Sequence, residues 1–188
     1  MVFNYYYGSQ ADQFSFIRIP KVMLTENNFK YWPSMLSSLQ FVKDGMNVCI
    51  LGASDSGKTY LAKAVGTVAC AKYRVSYNRC NELLEFLVAL KAEDYDKYTK
   101  QIRKILNFHL LILDDFLLNT ISDEREIKVL VEIMEKRIEL SRSTIICSQR
   151  DPESWKAMIL DDEVSANAIT KRATKHYTIM IQLLEDKA

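Results

Sequence analysis

The sequence contains little glycine or proline and no long apolar run. Five glycines and three prolines among 188 residues leave little room for flexible linkers. No stretch approaches the ~20 apolar residues that a membrane helix requires, and Met1 to Gln10 lacks the basic start and apolar centre of an export signal. We therefore expect a cytoplasmic protein that makes no membrane contact.

Cysteines and net charge are also limited. The four cysteines, Cys49, Cys70, Cys80 and Cys147, lack the close pairs of a zinc site, and two of them fall inside apolar runs. We interpret them as reduced core residues. A formal net charge of +1 argues against a chain-wide electrostatic attraction to nucleic acid and leaves room for a local basic face.

Five short β-rich runs alternate with helical patterns from residue 46 to the end. The runs are 47–51, 73–77, 110–113, 144–147 and 177–181. Most are nearly continuous apolar segments, which are typical of strands buried on both faces. The alternation predicts an α/β domain over residues 46–188, with a doubly wound five-stranded parallel sheet flanked by helices. Residues 1–45 are less periodic and are predicted to form an N-terminal extension without activity of its own.

The segment from Gly52 to Thr59 fits the phosphate-loop pattern G-x-x-x-x-G-K-[ST]. It follows an apolar strand and precedes a predicted helix over Tyr60 to Ala71, which is the context that the motif needs. Backbone N–H groups of such a loop surround phosphates, with Lys58 on the β and γ oxygens and the Thr59 hydroxyl on magnesium. We therefore predict a site for ATP and Mg²⁺. Its residues are Gly52, Ala53, Ser54, Asp55, Ser56, Gly57, Lys58, Thr59 and Tyr60.

Two carboxylates follow the apolar run at 110–113. Asp114 is predicted to lie at the carboxyl edge of the sheet and to hold Mg²⁺, directly or through water. Asp115 would orient and polarise the attacking water, but its side chain is one methylene shorter than the glutamate more common there, so we expect slow hydrolysis. Taken alone, an Asp-Asp pair after a strand also fits a helix cap or a solvated turn.

Two further positions have alternative interpretations. Ser148 or Gln149, at the end of a predicted buried strand, could hydrogen-bond the γ-phosphate or the water, or could form an ordinary strand-end turn. Arg172, on the predicted helix before the last strand, could complete a neighbouring subunit's site as an arginine finger. By spacing alone, Lys171 and Arg172 also fit a solvated helix face.

A basic amphipathic helix is predicted over Asp94 to Leu106. Its apolar face is marked by Tyr95, Tyr98, Ile102 and Ile105. Its other side carries the cations Lys97, Lys100, Arg103 and Lys104. Such a face can follow a phosphate backbone but cannot read bases, so we predict salt-sensitive binding to duplex DNA without sequence preference. A solvated charged face is the alternative.

Four strings carry a family resemblance. They are the phosphate loop with Tyr60-Leu61-Ala62, the run Leu-Leu-Ile-Leu-Asp-Asp-Phe at 110–116, Ser143-Thr144-Ile145-Ile146, and Ser148-Gln149. Over about residues 40–182 the chain resembles the IstB-like ATP-binding proteins, which are grouped with the DnaC helicase loaders in the AAA+ superfamily. The resemblance implies an AAA+ P-loop NTPase core.

The same resemblance implies roles for individual residues and partners. Lys58 and Thr59 correspond to Walker A, Asp114 and Asp115 to Walker B, Ser148 to the sensor and Arg172 to the arginine finger. It further implies an ATP-dependent homo-oligomer on DNA, which acts as a transposition helper beside a transposase or as a loader of a replicative helicase.

Three positions depart from the family pattern. Asp55 replaces the usual loop glycine, Leu117 stands where a glycine commonly follows Asp-Asp-Phe, and Lys171 replaces the aspartate often found before the finger arginine. Only Gln182 to Ala188 follow the last predicted strand, so we expect no C-terminal lid domain.

Two other functions use the same loop. A small-molecule P-loop kinase would need an arginine-rich lid, and no such cluster lies between Asp123 and Leu140, which is predicted to be one amphipathic helix. The paired acids also favour activation of water over a phosphate acceptor. A non-hydrolysing adaptor, which would use ATP only to fix its shape, stays open because of Asp115 and Leu117.

Overall fold

Strands and helices alternate along the part of the chain that the computed structural model describes, residues 5–6, 32–159 and 162–181. The strands are β1 Tyr5–Tyr6, β2 Val48–Gly52, β3 Val75–Arg79, β4 Leu110–Asp114, β5 Ser143–Ser148 and β6 Tyr177–Ile181. The helices are α1 Trp32–Ser38, α2 Gln40–Lys43, α3 Lys58–Cys70, α4 Cys80–Glu93, α5 Tyr95–Asn107, α6 Glu124–Glu139 and α7 Glu163–Ala173, with a short 3₁₀ helix at Ser154–Met158. No helix among these residues is both long and apolar enough to cross a bilayer.

The strands form one sheet in the order β1-β3-β4-β5-β2-β6. Strands β2 to β6 pair in parallel, which confirms the predicted five-stranded parallel sheet. Strand β1 adds an antiparallel edge to β3, and it lies in the segment predicted to be an N-terminal extension. The rest of that segment up to residue 31, and residues 182–188 after the last strand, lie outside the described residues.

Helices cover both faces of the sheet, and the side chains of its two central strands are therefore buried on both sides. All residues of β4 and β5 are buried. Alternate residues of β4 point to opposite sides, so Leu111 packs with the helices α4 to α7 while Leu110 packs with α1 to α3. This two-sided burial explains the continuous apolar runs in the sequence.

The two short helices before β2 pack on the same core as the sheet. Phe41 and Val42 of α2 are buried in one cluster with Val48 and Ile50, and the Ser143 hydroxyl donates to the Phe41 carbonyl at 2.8 Å. The division of the chain at residue 46 stays a prediction, and α2 is joined to the core by these contacts.

Helix α6 begins as predicted, with the Asp123 side chain accepting from the Arg125 backbone N–H at 2.8 Å. From the spacing of its apolar residues, Ile127, Leu130, Val131, Met134 and Ile138 are expected on one buried face, but Val131 and Ile138 are partly exposed while Ile133 and Arg137 are buried. Arg137 is fully enclosed, and burial lowers the pKa of its guanidinium to about 9.

All four cysteines are free thiols. Burial raises the pKa of Cys49 and Cys80 to about 12, and Cys147 is buried as well. Cys70, at the end of α3, is only half-buried. The expectation of reduced core cysteines therefore holds for three of the four.

Candidate functional site

The predicted phosphate loop connects β2 to α3 at the carboxyl edge of the sheet. Gly57 caps α3 with φ +95°, a left-handed conformation that favours glycine. Gly52 has no space for a side chain, because a Cβ there would lie 2.4 Å from the Ile181 carbonyl oxygen. Asp55, at the position where the resemblance implies glycine, has the left-handed φ of +59°. Aspartate tolerates that conformation better than most residues, which allows the loop to form.

Lys58 is the first residue of α3, and its ammonium Nζ donates to the Ala53 carbonyl of the same loop at 2.5 Å. Burial lowers the pKa of Lys58, and the neighbouring carboxylates Asp114 and Asp115 act in the opposite direction. The lysine therefore lies across the loop, with the two acids close enough to affect its charge. Tyr60, two residues further on, is half-exposed.

Thr59 and Asp114 meet at the carboxyl edge. The Thr59 Oγ1 donates to Asp114 Oδ1 at 3.1 Å, and the Asp115 backbone N–H donates to the same oxygen at 3.1 Å. The other carboxylate oxygen, Oδ2, accepts from the Tyr77 hydroxyl at 2.5 Å. Asp114 is only 3% exposed, so both of its oxygens are held by the protein.

This pair fits magnesium. Mg²⁺ takes oxygen ligands and is usually bound by one or two protein groups together with substrate phosphates and water. Thr59 and Asp114 supply two such oxygens side by side, and no cluster of three or more His, Cys, Asp or Glu side chains forms a separate metal site among the described residues.

Sequence reasoning missed Tyr77 as part of this site. Burial and the hydrogen bond to Asp114 raise the pKa of Tyr77, so its hydroxyl stays protonated and donates. The Lys63 ammonium of α3 lies 4.6 Å from the centre of its ring. Strand register could have revealed this contact. Tyr77 pairs with Ile112, and Asp114 lies two residues further along β4, so Tyr77 and Asp114 share one face of the sheet.

Asp115 lies beside Asp114 and is half-exposed. Its Oδ2 is 3.6 Å from Arg79 Nε, and Arg79 also contacts Glu82 at 3.3 Å. Asp115 and Leu117 both have left-handed backbones, with φ +52° and +50°. Such a conformation favours glycine, which the resemblance implies at position 117, and here a fully buried leucine occupies it. The role of Asp115 in activating water stays a prediction.

Ser148 is fully engaged inside the protein. Its hydroxyl donates to the Phe116 carbonyl at 2.9 Å and accepts from Trp155 Nε1 and the Arg150 backbone N–H, both at 3.1 Å. Ser148 is 1% exposed, whereas its neighbour Gln149 is exposed at the end of β5. Of the two alternatives for a γ-phosphate contact, Gln149 is the accessible one.

Arg172 lies in α7 and is paired within its own chain. Its Nη2 donates to Glu135 Oε1 of α6 at 2.7 Å and its Nη1 to the Ala168 carbonyl at 3.1 Å. The side chain is 27% exposed, so it is not the solvated residue that spacing alone suggested. The finger role stays a prediction, and it would require this ion pair to open.

Helix α5 presents its cations to solvent. Lys97, Lys100, Arg103 and Lys104 are all exposed, and Lys97 pairs with Asp94 at 3.2 Å. Tyr98, Ile102 and Ile105 are buried as predicted, but Tyr95 is 65% exposed because it begins the helix outside the α4 and α6 interface. DNA binding by this face stays a prediction.

Comparison with known proteins connects the chain to one family. A sequence profile described as IstB-like ATP binding protein matches residues 29–186. A protein of Bacillus thuringiensis subsp. berliner, named for insertion sequence IS232 and for ATP binding, is 31% identical over 164 residues. That match covers 82% of this chain and 63% of the relative's length.

Two solved structures share the fold. A replication initiator DnaA bound to AMPPCP and single-stranded DNA matches with a TM-score of 0.68 and 21% identity, covering 86% of this chain and 48% of that one. The DnaC helicase loader matches with a TM-score of 0.60 and 25% identity, covering 79% of this chain and 88% of that one.

Proposed function

Because the chain belongs to the family of IstB-like ATP-binding proteins, we propose that it binds ATP with Mg²⁺ and hydrolyses it slowly as a DNA-associated helper. The observation that carries the proposal is the 3.1 Å hydrogen bond between Thr59 and Asp114. It joins the phosphate loop to the acid-bearing strand, as magnesium-dependent phosphate binding requires. The relative named for insertion sequence IS232 favours a role beside a transposase over one beside a replicative helicase.

Each group of the site has its own role in binding and hydrolysis. Loop backbone N–H groups and the N-terminus of α3 hold the phosphates, and Lys58 exchanges the Ala53 carbonyl for a phosphate oxygen. Thr59 and Asp114 would hold Mg²⁺, which neutralises charge on the β and γ oxygens when bound. Asp115 orients the attacking water and accepts its proton.

Slow hydrolysis follows from how Asp115 is held. Its carboxylate is short and shares Arg79 with Glu82, so it must turn from Arg79 towards the water. The same ion pair favours a second candidate, an adaptor that binds ATP without hydrolysing it. Whether Asp115 can leave Arg79 therefore decides between the ATPase and the adaptor.

Lys58→Ala and Asp115→Asn test the proposal together. Lys58→Ala should weaken ATP binding roughly 10- to 100-fold, since it removes a charged hydrogen bond to the phosphates. Asp115→Asn should keep ATP bound and slow phosphate release by about 100-fold or more, because only the general base is lost. Calorimetry gives the affinity, and steady-state phosphate release with and without duplex DNA gives the turnover.

Lys72→Ala is the matched control, because Lys72 is an exposed lysine just beyond α3 and away from the loop. Parent-like ATP affinity in Lys58→Ala would remove the site from this loop. A parent protein that binds ATP but releases no phosphate, with or without DNA, would establish the adaptor instead of the ATPase.

A further inference from the structure

Three basic residues form a row at the amino edge of the sheet, opposite the phosphate loop. In β3, β4 and β5, the first residues Val75, Leu110 and Ser143 are aligned across the sheet. Each is preceded by a basic residue, and the three, here called the amino-edge row, are Arg74, His109 and Arg142. Because neighbouring strands lie about 4.8 Å apart, the row spans about 10 Å of backbone.

Hydrogen bonds hold the backbone of this row in place. The His109 N–H donates to the Arg74 carbonyl at 3.0 Å, and the Ser143 N–H donates to the His109 carbonyl at 3.1 Å. The Arg74 N–H donates to His109 Nδ1 at 3.2 Å. A neutral His109 ring therefore carries its hydrogen on Nε2, where it is a further donor.

The row has no acidic partner among the described residues. Arg74 is exposed, and its guanidinium donates to the Asn107 carbonyl at 3.1 Å. Arg142 makes no ion pair there, and its Nε–H is buried without an acceptor.

Two acids near this edge in sequence have other partners. Asp44 accepts from the Gln40 side chain at 2.8 Å, and Glu139 pairs with Lys136 at 2.8 Å. The row is thus a cluster of donors with unused capacity for an anion.

The row is continuous with the cations of α5. That helix ends at Asn107, whose carbonyl accepts from Arg74, and His109 follows two residues later. Arg103 and Lys104 lie in its last turn or directly before it. A single basic surface therefore runs from α5 across the start of three strands.

We propose that the amino-edge row binds the phosphate backbone of nucleic acid and extends the contact made by α5. The proposal rests on the proposed function, which places this protein on DNA. Arginine forks suit phosphate oxygens, and a row of donors can follow successive phosphates of one strand without reading bases. Since ATP binds at the opposite edge, the two ligands do not compete for the same groups.

The test is the double variant Arg74→Gln with Arg142→Gln, measured by anisotropy with a labelled duplex at several salt concentrations and with ATP present. Losing two phosphate contacts should weaken binding about 10-fold or more near physiological salt and reduce the slope of log affinity against log salt by about 2. ATP affinity should not change. Arg74→Gln alone, at an exposed position, should reduce the slope by about 1 and covers the case in which the double variant folds poorly.

The double variant Lys128→Gln with Lys156→Gln is the control, since it removes the same charge from exposed positions elsewhere. The Arg74 variants are compared with a triple variant in which Lys97, Lys100 and Lys104 are changed to Ala. If the Arg74 variants bind DNA as the parent does and the triple variant binds it more weakly, the proposal for the row is wrong and the α5 contact remains supported. If the parent binds ATP but no DNA, the DNA role and the row both fall while the nucleotide site remains. Labelled poly-glutamate is the second probe in the same assay. If the Arg74 variants lose binding to poly-glutamate but bind the duplex as the parent does, the row serves an acidic protein partner and the proposal is overturned.

Discussion

At the scale of single residues, Asp114 is the most constrained group of the site. Its carboxylate accepts from Thr59, from the Asp115 N–H and from Tyr77, which come from three separate segments of the chain. Tyr77 fixes the second oxygen, so the first faces Thr59 and the metal position. Partners that orient a metal ligand often matter almost as much as the ligand itself.

Tyr77→Phe should raise the Mg²⁺ concentration needed for half-maximal ATP binding about tenfold, because Asp114 loses the donor that sets its orientation. Fluorescence of a labelled ATP analogue, titrated with Mg²⁺, measures this without relying on turnover. Tyr73→Phe is the control, since Tyr73 lies two residues before β3, far from Asp114, with its ring centre 5.7 Å from that of His109. An unchanged Mg²⁺ dependence in Tyr77→Phe, with an unchanged melting temperature, would show that this hydrogen bond does not position Asp114.

At the scale of secondary-structure elements, buried Arg137 joins α6 to the end of α5 and the start of β5. Its guanidinium donates to the carbonyls of Ile105 and Phe108 at 2.8 and 3.0 Å, to the Ser143 carbonyl at 2.5 Å and to Thr144 Oγ1 at 3.0 Å. A cation at the C-terminus of α5 also opposes the partial negative charge of that helix end. One side chain thereby bonds carbonyls at the end of α5 and both a carbonyl and a hydroxyl at the start of β5.

Arg137→Met should lower the free energy of unfolding by about 3 kcal/mol, because buried carbonyls lose their donors while the replacement fills most of the space. Urea denaturation followed by circular dichroism measures the change. Lys136→Met, one position earlier and exposed, should change the stability by less than about 0.5 kcal/mol. Equal losses in the two variants would mean that the Arg137 bonds contribute nothing net.

Apolar patterns were enough to predict the parallel strands and the helices between them, since burial on both faces leaves a direct trace in the sequence. They could not predict Arg137, because an arginine at helical spacing is normally placed on the solvated face and its bonds come from distant segments. Motif spacing placed Lys58, Thr59 and Asp114 together. It could not place Tyr77, Arg79 or Glu135, whose contacts depend on strand register and on how helices pack.

At the scale of the whole molecule, the ion pair between Arg172 and Glu135 decides how subunits could share a site. If Arg172 serves a neighbour's nucleotide, it must leave Glu135, which lies 2.7 Å away. Arg172→Ala should then reduce ATP hydrolysis by about 10³-fold. Mixing it with Lys58→Ala subunits should restore part of the activity, because each variant supplies what the other lacks.

Glu135→Gln separates the two roles of Arg172. It weakens the ion pair but leaves the arginine in place. If Arg172 acts as a finger, this variant should keep its ATP hydrolysis, whereas if Arg172 only holds Glu135, the variant should lose activity as Arg172→Ala does. Phosphate release by each variant and by their mixtures, with melting temperatures alongside, gives the answer. No restoration on mixing, together with equal loss of melting temperature in Arg172→Ala and Glu135→Gln, would confine Arg172 to holding α7 against α6.

Strand β4 connects the two edges of the sheet, with His109 before it and Asp114 at its end. A five-residue strand buried on both sides and bonded to a neighbour on each side hardly stretches, because a close-packed interior has low compressibility. Mechanically it behaves as a stiff strut about 13 Å long. A movement at the nucleotide edge would therefore reach the opposite edge as a rotation of the whole sheet relative to the helices packed on it. Because the length of β4 is fixed, the distance between its two ends would stay the same with and without nucleotide.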